Sequence, residues 1–111
     1  MGMIIFVRKS LKPLINTLIS CTKSTGIAGM VGNKGGVMIS FNIFTHRFCF
    51  LNCHLAAGAT QDKMDRRRTD AFNILRSLKP RESPSDTINH FDYFFWMGDF
   101  NFRVDCSIML T

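Results

Sequence analysis

The residues best suited to chemistry stand in Phe95-Trp96-Met97-Gly98-Asp99-Phe100-Asn101-Phe102-Arg103. Asp99 can accept a proton or coordinate a metal, and Asn101 can both donate and accept hydrogen bonds. In extended chain, residues two apart point the same way, so these two side chains are able to face one site. The same Gly-Asp-x-Asn also suits an Asx-type turn closing a strand. Upstream, Thr25 to Gly36 places Gly26, Gly29, Gly32, Gly35 and Gly36 around Asn33 and Lys34. A Gly-Asn-Lys-Gly-Gly loop can aim backbone N–H groups and one ammonium at a phosphate. It is not a Walker loop, because the Gly-Lys-Ser/Thr ending is absent and a strand rather than a helix follows. A tight hairpin turn with Lys34 in water is the competing reading. The third candidate is His54, which closes an apolar run; a lone histidine there serves structure or catalysis.

Particular elements must position these groups. The run Tyr93 to Met97 before Gly98 reads as a buried strand ending in a Gly-led loop. Val37 to Phe44 and Phe48 to His54 read as an antiparallel hairpin turning at Thr45-His46-Arg47. In its second strand Phe48, Phe50, Asn52 and His54 share one face, and Cys49, Leu51 and Cys53 the other. His54 thus reaches a strand's C-terminal end, where sites of layered α/β folds gather. Gln61 to Leu78 reads as a helix with an apolar stripe of Met64, Ala71, Leu75 and Leu78, and Ile74 beside it. Asp62 is the expected N-cap, with Asp65 in the first turn. Asp62, Arg66 and Asp70 form an i, i+4 ladder placed on the outer face. Arg66-Arg67-Arg68 reads as surface and boundary charge, the stems of Arg67 and Arg68 packing at the stripe's edges; phosphate or nucleic-acid contact is the sharper alternative. Pro80 and Pro84 close the helix, and Lys79 to Asp92 reads as a polar, mobile loop. Met3 to Val7 reads as a buried strand, ended by a basic turn, and Leu14 to Cys21 as a second strand.

A chain of 111 residues bounds one domain. The net charge of +6, from 14 Lys and Arg against 8 Asp and Glu, favours acidic partners. Phosphorylated inositols, anionic lipid heads and nucleic acid all qualify, as does a basic face that is merely solvated. The cysteines are Cys21, Cys49, Cys53 and Cys106, with no Cys-x-x-Cys pair. A zinc site at Cys49, Cys53 and His54 lacks a second ligand cluster, so core thiols in a reducing compartment are the reading. No signal peptide is visible, and Met3 to Val7 is far shorter than the ~20 residues of a membrane span. Phe6 stands where a myristoylation motif needs Ser or Thr. The expectation is a cytoplasmic protein, peripheral to membranes at most.

Phe95 to Arg103 resembles the signature of the inositol polyphosphate 5-phosphatases: aromatic, Trp or Tyr, any residue, Gly-Asp, any residue, Asn, aromatic, Arg. Every position fits. Thr25 to Val37 and Asn52-Cys53-His54-Leu55-Ala56-Ala57-Gly58 fit the same family in the same order. The resemblance implies an α/β fold, a fragment of a four-layer α/β sandwich with mostly antiparallel sheets, as in deoxyribonuclease-like proteins. Residues 1–111 would be the central part of a single catalytic domain, truncated at both ends. The implied activity is Mg2+-dependent hydrolysis of the 5-phosphate of inositol polyphosphates or phosphoinositides, with water attacking phosphorus directly. Asp99 would orient and deprotonate that water, and Asn101 would hold it or a phosphoryl oxygen. His54 would contact the scissile phosphate and donate a hydrogen bond to developing negative charge. Asn33 and Lys34 would line the substrate cleft, and Arg103 would brace the loop. The family's principal metal-binding Glu precedes the first strand read here. Its second signature, Pro-x-Trp-Cys-Asp-Arg-x-Leu, and its terminal Asp-His pair follow downstream. None of these is in the 111 residues, so the metal ligands stay unassigned and the isolated chain is expected to be inactive or nearly so. In the helix the family often shows Arg-Asn, an acidic residue and an aromatic; here Arg67-Arg68-Thr69-Asp70-Ala71-Phe72 departs from it. A nucleic acid is not the expected partner, although nucleic-acid phosphodiesterases of the same superfamily share Gly-Asp-x-Asn. A non-catalytic fragment that binds acidic lipid heads is the alternative from another class.

Overall fold

Alternation of apolar and polar residues along three adjacent segments builds a meander, and one amphipathic helix then returns the chain to the same sheet. The computed structural model describes residues 1–26, 32–78 and 88–104. A 3-10 turn at Lys9–Leu14 leads into β1 (Ile15–Ser24), followed by β2 (Gly35–Ile43), β3 (His46–His54), α1 (Gln61–Ser77) and β4 (Tyr93–Asp99). The sheet order is β1-β2-β3-β4. The first two pairings are antiparallel and β3–β4 is parallel, so α1 serves as the crossover that a parallel pair requires. The result is an α/β unit with a mixed four-stranded sheet.

The hairpin forms as expected but turns earlier. Ile43 pairs with His46, leaving Phe44 and Thr45 as a two-residue turn with Phe44 at φ 52°. Such a turn carries the right-handed twist of its strands, which a loop at residues 45–47 would interrupt. β1 runs on to Ser24, past the expected Cys21, because its ladder with β2 continues to the Ser24–Gly35 pair. A register shift between Asn16 and Ile19, with Thr17 at φ 53°, marks a bulge in β1.

Met3 to Val7 is not a strand. Ile4 and Phe6 are 79% and 90% exposed, while Met3 and Ile5 are half-buried. The segment is extended and alternates, but among the described residues no strand forms a ladder with it. The basic segment after it starts the 3-10 turn. The expected loop over Lys79 to Asp92 and the end of the chain after Val104 lie largely outside the described residues.

One face of the sheet packs on α1. Met38, Cys49, Leu51, Cys53, Leu55, Ile74 and Leu78 form a single buried cluster, with Phe94, Trp96 and Phe100 against it. The helix agrees with expectation to within a residue, but its details differ. Thr60, not Asp62, occupies the N-cap position. Asp62 sits in the first turn, where a hydrogen bond with Thr60 and the nearby Lys63 hold its carboxyl below the usual range. The buried stripe is Arg67, Asp70, Ile74 and Leu78, spaced 3, 4 and 4. Two charged residues thus occupy core positions, and Asp70 is not on the outer face.

Candidate active site

The parallel pairing of β3 with β4 aligns His54 with Asp99, so the two strands deliver these side chains to one corner. Gly98 makes the close approach feasible. It has φ +124°, and a Cβ there would lie 2.0 Å from the Cys53 carbonyl oxygen. No side chain fits, which is the physical reason for glycine before Asp99. Immediately beyond the strands, the Leu55 N–H donates to the Asp99 carbonyl at 3.0 Å.

His54 is held on both sides of its ring. Its Nδ1 lies 3.0 Å from the Asn33 carbonyl oxygen, and its Nε2 lies 2.5 Å from Lys34 Nζ and 3.5 Å from Asp99 Oδ2. A carbonyl can only accept, so Nδ1 carries the proton; an ammonium can only donate, so Nε2 accepts. The hydrogen-bond network therefore assigns the neutral Nδ1–H tautomer. In this arrangement His54 Nε2 accepts from Lys34 and is not free to donate while Lys34 stays in place. The Asp99 carboxylate, whose side chain is 63% exposed, lies 3.5 Å from the same nitrogen.

Asn101 belongs to the same corner by a different route. Its backbone N–H donates to Asp99 Oδ1 at 3.0 Å, which is the Asx-type turn. Its Nδ2 donates to the Leu55 carbonyl at 2.9 Å, and its backbone sits at φ 53°. The turn reading is thus realised, and the same turn sets Asn101 beside Asp99. With its amide nitrogen engaged, Asn101 has its side-chain oxygen left for another donor.

Beside this corner lies a cleft of about 520 Å³ lined by Lys34, Lys63, Arg66, Asp62, Asp70 and Thr25 among others. Arg66 bonds Asp70 at 2.9 Å and donates to the Thr25 carbonyl at 2.6 Å, tying the helix to the end of β1. Burial pushes the Asp70 carboxyl up despite the Arg66 charge beside it. Arg67, only 3% exposed, donates to the Ala56 and Gly58 carbonyls. From sequence these arginines are surface and boundary charge, with the Arg67 stem at the stripe's edge; the structure buries Arg67 in the stripe itself. The missed signal was the 67, 70, 74, 78 spacing, visible only when charged residues are admitted to the stripe. Arg103 lies in a second, aromatic-lined cleft with Trp96, Phe100 and Phe102, and no hydrogen bond to the Asp99 loop is seen among the described residues.

Asn33, Lys34, His54, Asp99 and Asn101 are therefore brought together by three separate elements. A family model described as Endonuclease/Exonuclease/phosphatase family 2 matches residues 1–108. The chain belongs to that family. Within this family it corresponds to part of an inositol polyphosphate 5-phosphatase catalytic domain. It is 40% identical over 100 residues to polyphosphatidylinositol phosphatase INP53 of Saccharomyces cerevisiae, covering 90% of this chain and 9% of that protein. Type I inositol polyphosphate 5-phosphatase 1 of Arabidopsis thaliana is 36% identical over 114 residues, covering 96% and 19%. The crystal structure of the inositol polyphosphate 5-phosphatase domain of SPsynaptojanin, in complex with inositol (1,4)-bisphosphate and calcium ion, superposes with a TM-score of 0.72 at 37% identity. That match covers 87% of this chain and 26% of the solved chain. The chain thus spans about a tenth to a fifth of these curated relatives and about a quarter of the solved one.

Proposed function

We propose that this chain carries the central part of a Mg2+-dependent phosphatase that removes the 5-phosphate from inositol polyphosphates or phosphoinositides. The single observation that carries the reading is the alignment of His54 with Asp99, with Lys34 on the same imidazole. Phosphoryl transfer asks for a positioned water, a base and positive charge at the phosphoryl oxygens. Asp99 is the exposed carboxylate that orients and deprotonates the water. Asn101 presents its side-chain oxygen to that water, and Lys34 exchanges His54 for a phosphate oxygen. His54, freed at Nε2 and 3.5 Å from Asp99 Oδ2, takes over the proton that Asp99 draws from the water and donates to the developing charge, which returns Asp99 to the carboxylate as its counter-ion. Asn33 holds the ring's other side through its backbone carbonyl.

The calcium ion and inositol (1,4)-bisphosphate belong to the solved relative; they support a divalent metal and an inositol phosphate as what this site takes. Mg2+ is ordinarily held by one or two carboxylates, waters and substrate phosphates. Asp99 fits one such ligand, but among the described residues no group of three or more His, Cys, Asp or Glu could hold a metal ion. These residues alone do not make a metal centre, so no step is routed through the ion. The same incompleteness underlies the proposal that the isolated chain is inactive or nearly so. The architecture we infer for the whole is a four-layer α/β sandwich, in which a second sheet covers the face opposite α1. The setting we infer is cytoplasmic, with substrate met in solution or at a membrane surface.

The test is phosphate release from a 5-phosphorylated inositol lipid, with and without Mg2+, by this chain and by one extended to full domain length. The extended protein should be active, and Asp99→Asn or His54→Ala should lower its rate by ~10²–10⁴-fold. Robust release by the short chain, abolished by Asp99→Ala, refutes the half-site argument. No release by either, with folding verified by circular dichroism, refutes the enzyme reading.

A further inference from the structure

We infer that Arg67 is a positioning residue, holding the segment after β3 so that Asn101 stays aimed at the reaction corner. The inference rests on the 5-phosphatase reading for what Asn101 is aimed at; the coupling itself rests on geometry alone.

Arg67 is a charged residue kept at a core position, 3% exposed. Among the described residues no carboxylate forms a salt bridge with it; the acidic groups on its helix are taken by Lys63, Arg66 and Arg68. A buried cation without a counter-ion is expensive unless its donors are matched. Its matches are backbone oxygens: Nη1 donates to Ala56 O at 3.1 Å and to Gly58 O at 2.7 Å. Gly58, at φ +123°, packs against the Lys63 stem, so the helix holds the loop at two points.

The other side of this loop is bound to the site. The Leu55 N–H donates to Asp99 O, and the Leu55 carbonyl accepts from Asn101 Nδ2. Residues 54–58 are therefore a short strap pinned by β4 at one end and by Arg67 at the other. Asn101 stands in the left-handed region, disfavoured for a residue with a Cβ, and the Leu55 carbonyl is the side-chain anchor seen for it. If Arg67 releases residues 56–58, the Leu55 carbonyl turns away and Asn101 loses that anchor. Both bonds leave one terminal nitrogen, Nη1, at the end of the long arginine stem; a lysine ammonium has donors enough but a shorter stem, which leaves it farther from both carbonyls.

The experiment uses the 111-residue chain and reads amide hydrogen exchange by NMR at the Asn101 side chain and the Leu55 backbone. In Arg67→Met both should exchange at least ~10-fold faster, the factor for one charge-assisted hydrogen bond, since the variant loses those to Ala56 and Gly58. Amides in the β2–β3 ladder should be unchanged. Arg67→Lys should fall between. Phe72→Gly, a mid-helix defect at a position 62% exposed that lowers the melting temperature away from the strap, should leave the Asn101 signal as it is. An unchanged Asn101 amide in a folded Arg67→Met overturns the inference. Where Arg67→Met does not fold, an unchanged Asn101 amide in Arg67→Lys does so. In the extended protein, Arg67→Lys should lower kcat by ~10-fold with KM within about twofold, because Lys34 is untouched; a change confined to KM overturns it. Absence of phosphate release by the extended wild type sinks the phosphatase reading instead, and leaves the exchange result standing.

Discussion

The two faces of the sheet are built from the same strands and differ in nearly everything else. On the helix side, Met38, Cys49, Leu51 and Cys53 are at most 1% exposed beneath Ile74 and Leu78. On the other side Phe48 stacks on Tyr93 at 4.7 Å and Phe50 on Phe95 at 5.0 Å, yet Tyr93 and Phe95 are each 46% exposed and Met97 40%. Phe41, stacked on Phe48 and Phe50, is the one buried apolar residue of the described set outside the helix-side cluster. Strand parity puts His54 and Asp99 on the open side, continuing the rows of Phe48 and Phe50 and of Tyr93 and Phe95. The covered face supplies the stability, and the open face carries the candidate site at its end. A contiguous exposed aromatic patch of this kind marks an interface, and here the reactive corner lies on its rim.

The largest expected effect breaks the covered face. Leu51→Ala removes a side chain 1% exposed at the centre of the cluster, and should destabilise the chain by about 2–5 kcal/mol. That is a large part of the stability of a small domain. Denaturant unfolding measures it, and a loss under about 1 kcal/mol means that the face is loosely packed. A second measurement reads the same face without mutation. Burial, with Cys21 adding to it, pushes the Cys49 thiol up from 9.0 to about 12. At pH 8 its thiolate is then about a thousandfold scarcer than that of an ordinary thiol, and labelling should be slower in proportion. The sign for stability follows. The folded thiol ionises less readily than the unfolded one, so the contribution is intact below about pH 8.5 and is lost as pH rises towards about 12. Rapid labelling of native Cys49 at pH 8 contradicts the packing.

The open face answers differently. Phe95→Ala should cost the 111-residue chain only about 1 kcal/mol, mostly the stack on Phe50. In the extended protein, where we infer that a second sheet covers Phe95, the cost should rise to about 3–5 kcal/mol. Equal costs in the two lengths would show that nothing covers this face.

These two faces also explain what was legible in the sequence. The rows Cys49-Leu51-Cys53 and Phe48-Phe50-Asn52-His54 were readable because strand parity is a strict period of two. Parity cannot say which row is covered: both carry bulky apolar residues (Phe48 and Phe50, Cys49 and Leu51), and only packing of α1 decides. The candidate corner was legible in residue types, since Asn33, Lys34, His54, Asp99 and Asn101, which the structure brings together, stand in three recognisable motifs. Its geometry was not, because the β3–β4 register that sets His54 beside Asp99 is a long-range pairing. Met3 to Val7 shows the opposite failure, where composition predicts a strand that needs a partner to exist. Arg67 and Asp70 were misplaced because a charge was counted as a surface signal, whereas Arg67 is satisfied by carbonyls of the segment after β3 and Asp70 by Arg66 of its own helix.

The smallest effect concerns a defect in the covered side. Thr25 is 8% exposed, and its hydroxyl oxygen has no hydrogen-bond partner among the described residues. Its backbone is fully used: the N–H donates to Lys34 O and the carbonyl accepts from Arg66. A buried hydroxyl without a partner carries its desolvation penalty uncompensated. Thr25→Val keeps the shape and the β-branch and removes only that penalty. It should leave stability unchanged or raise it by up to about 1 kcal/mol. Because Thr25 N–H holds Lys34 O, the variant also asks whether the defect serves the site. A stabilised Thr25→Val with normal turnover in the extended protein makes the hydroxyl a packing fault. A stabilised variant with a raised KM makes it a group held in reserve for substrate, since the cleft it lines also contains Lys34, Lys63 and Arg66. A destabilisation above about 1 kcal/mol shows that the hydroxyl is bonded.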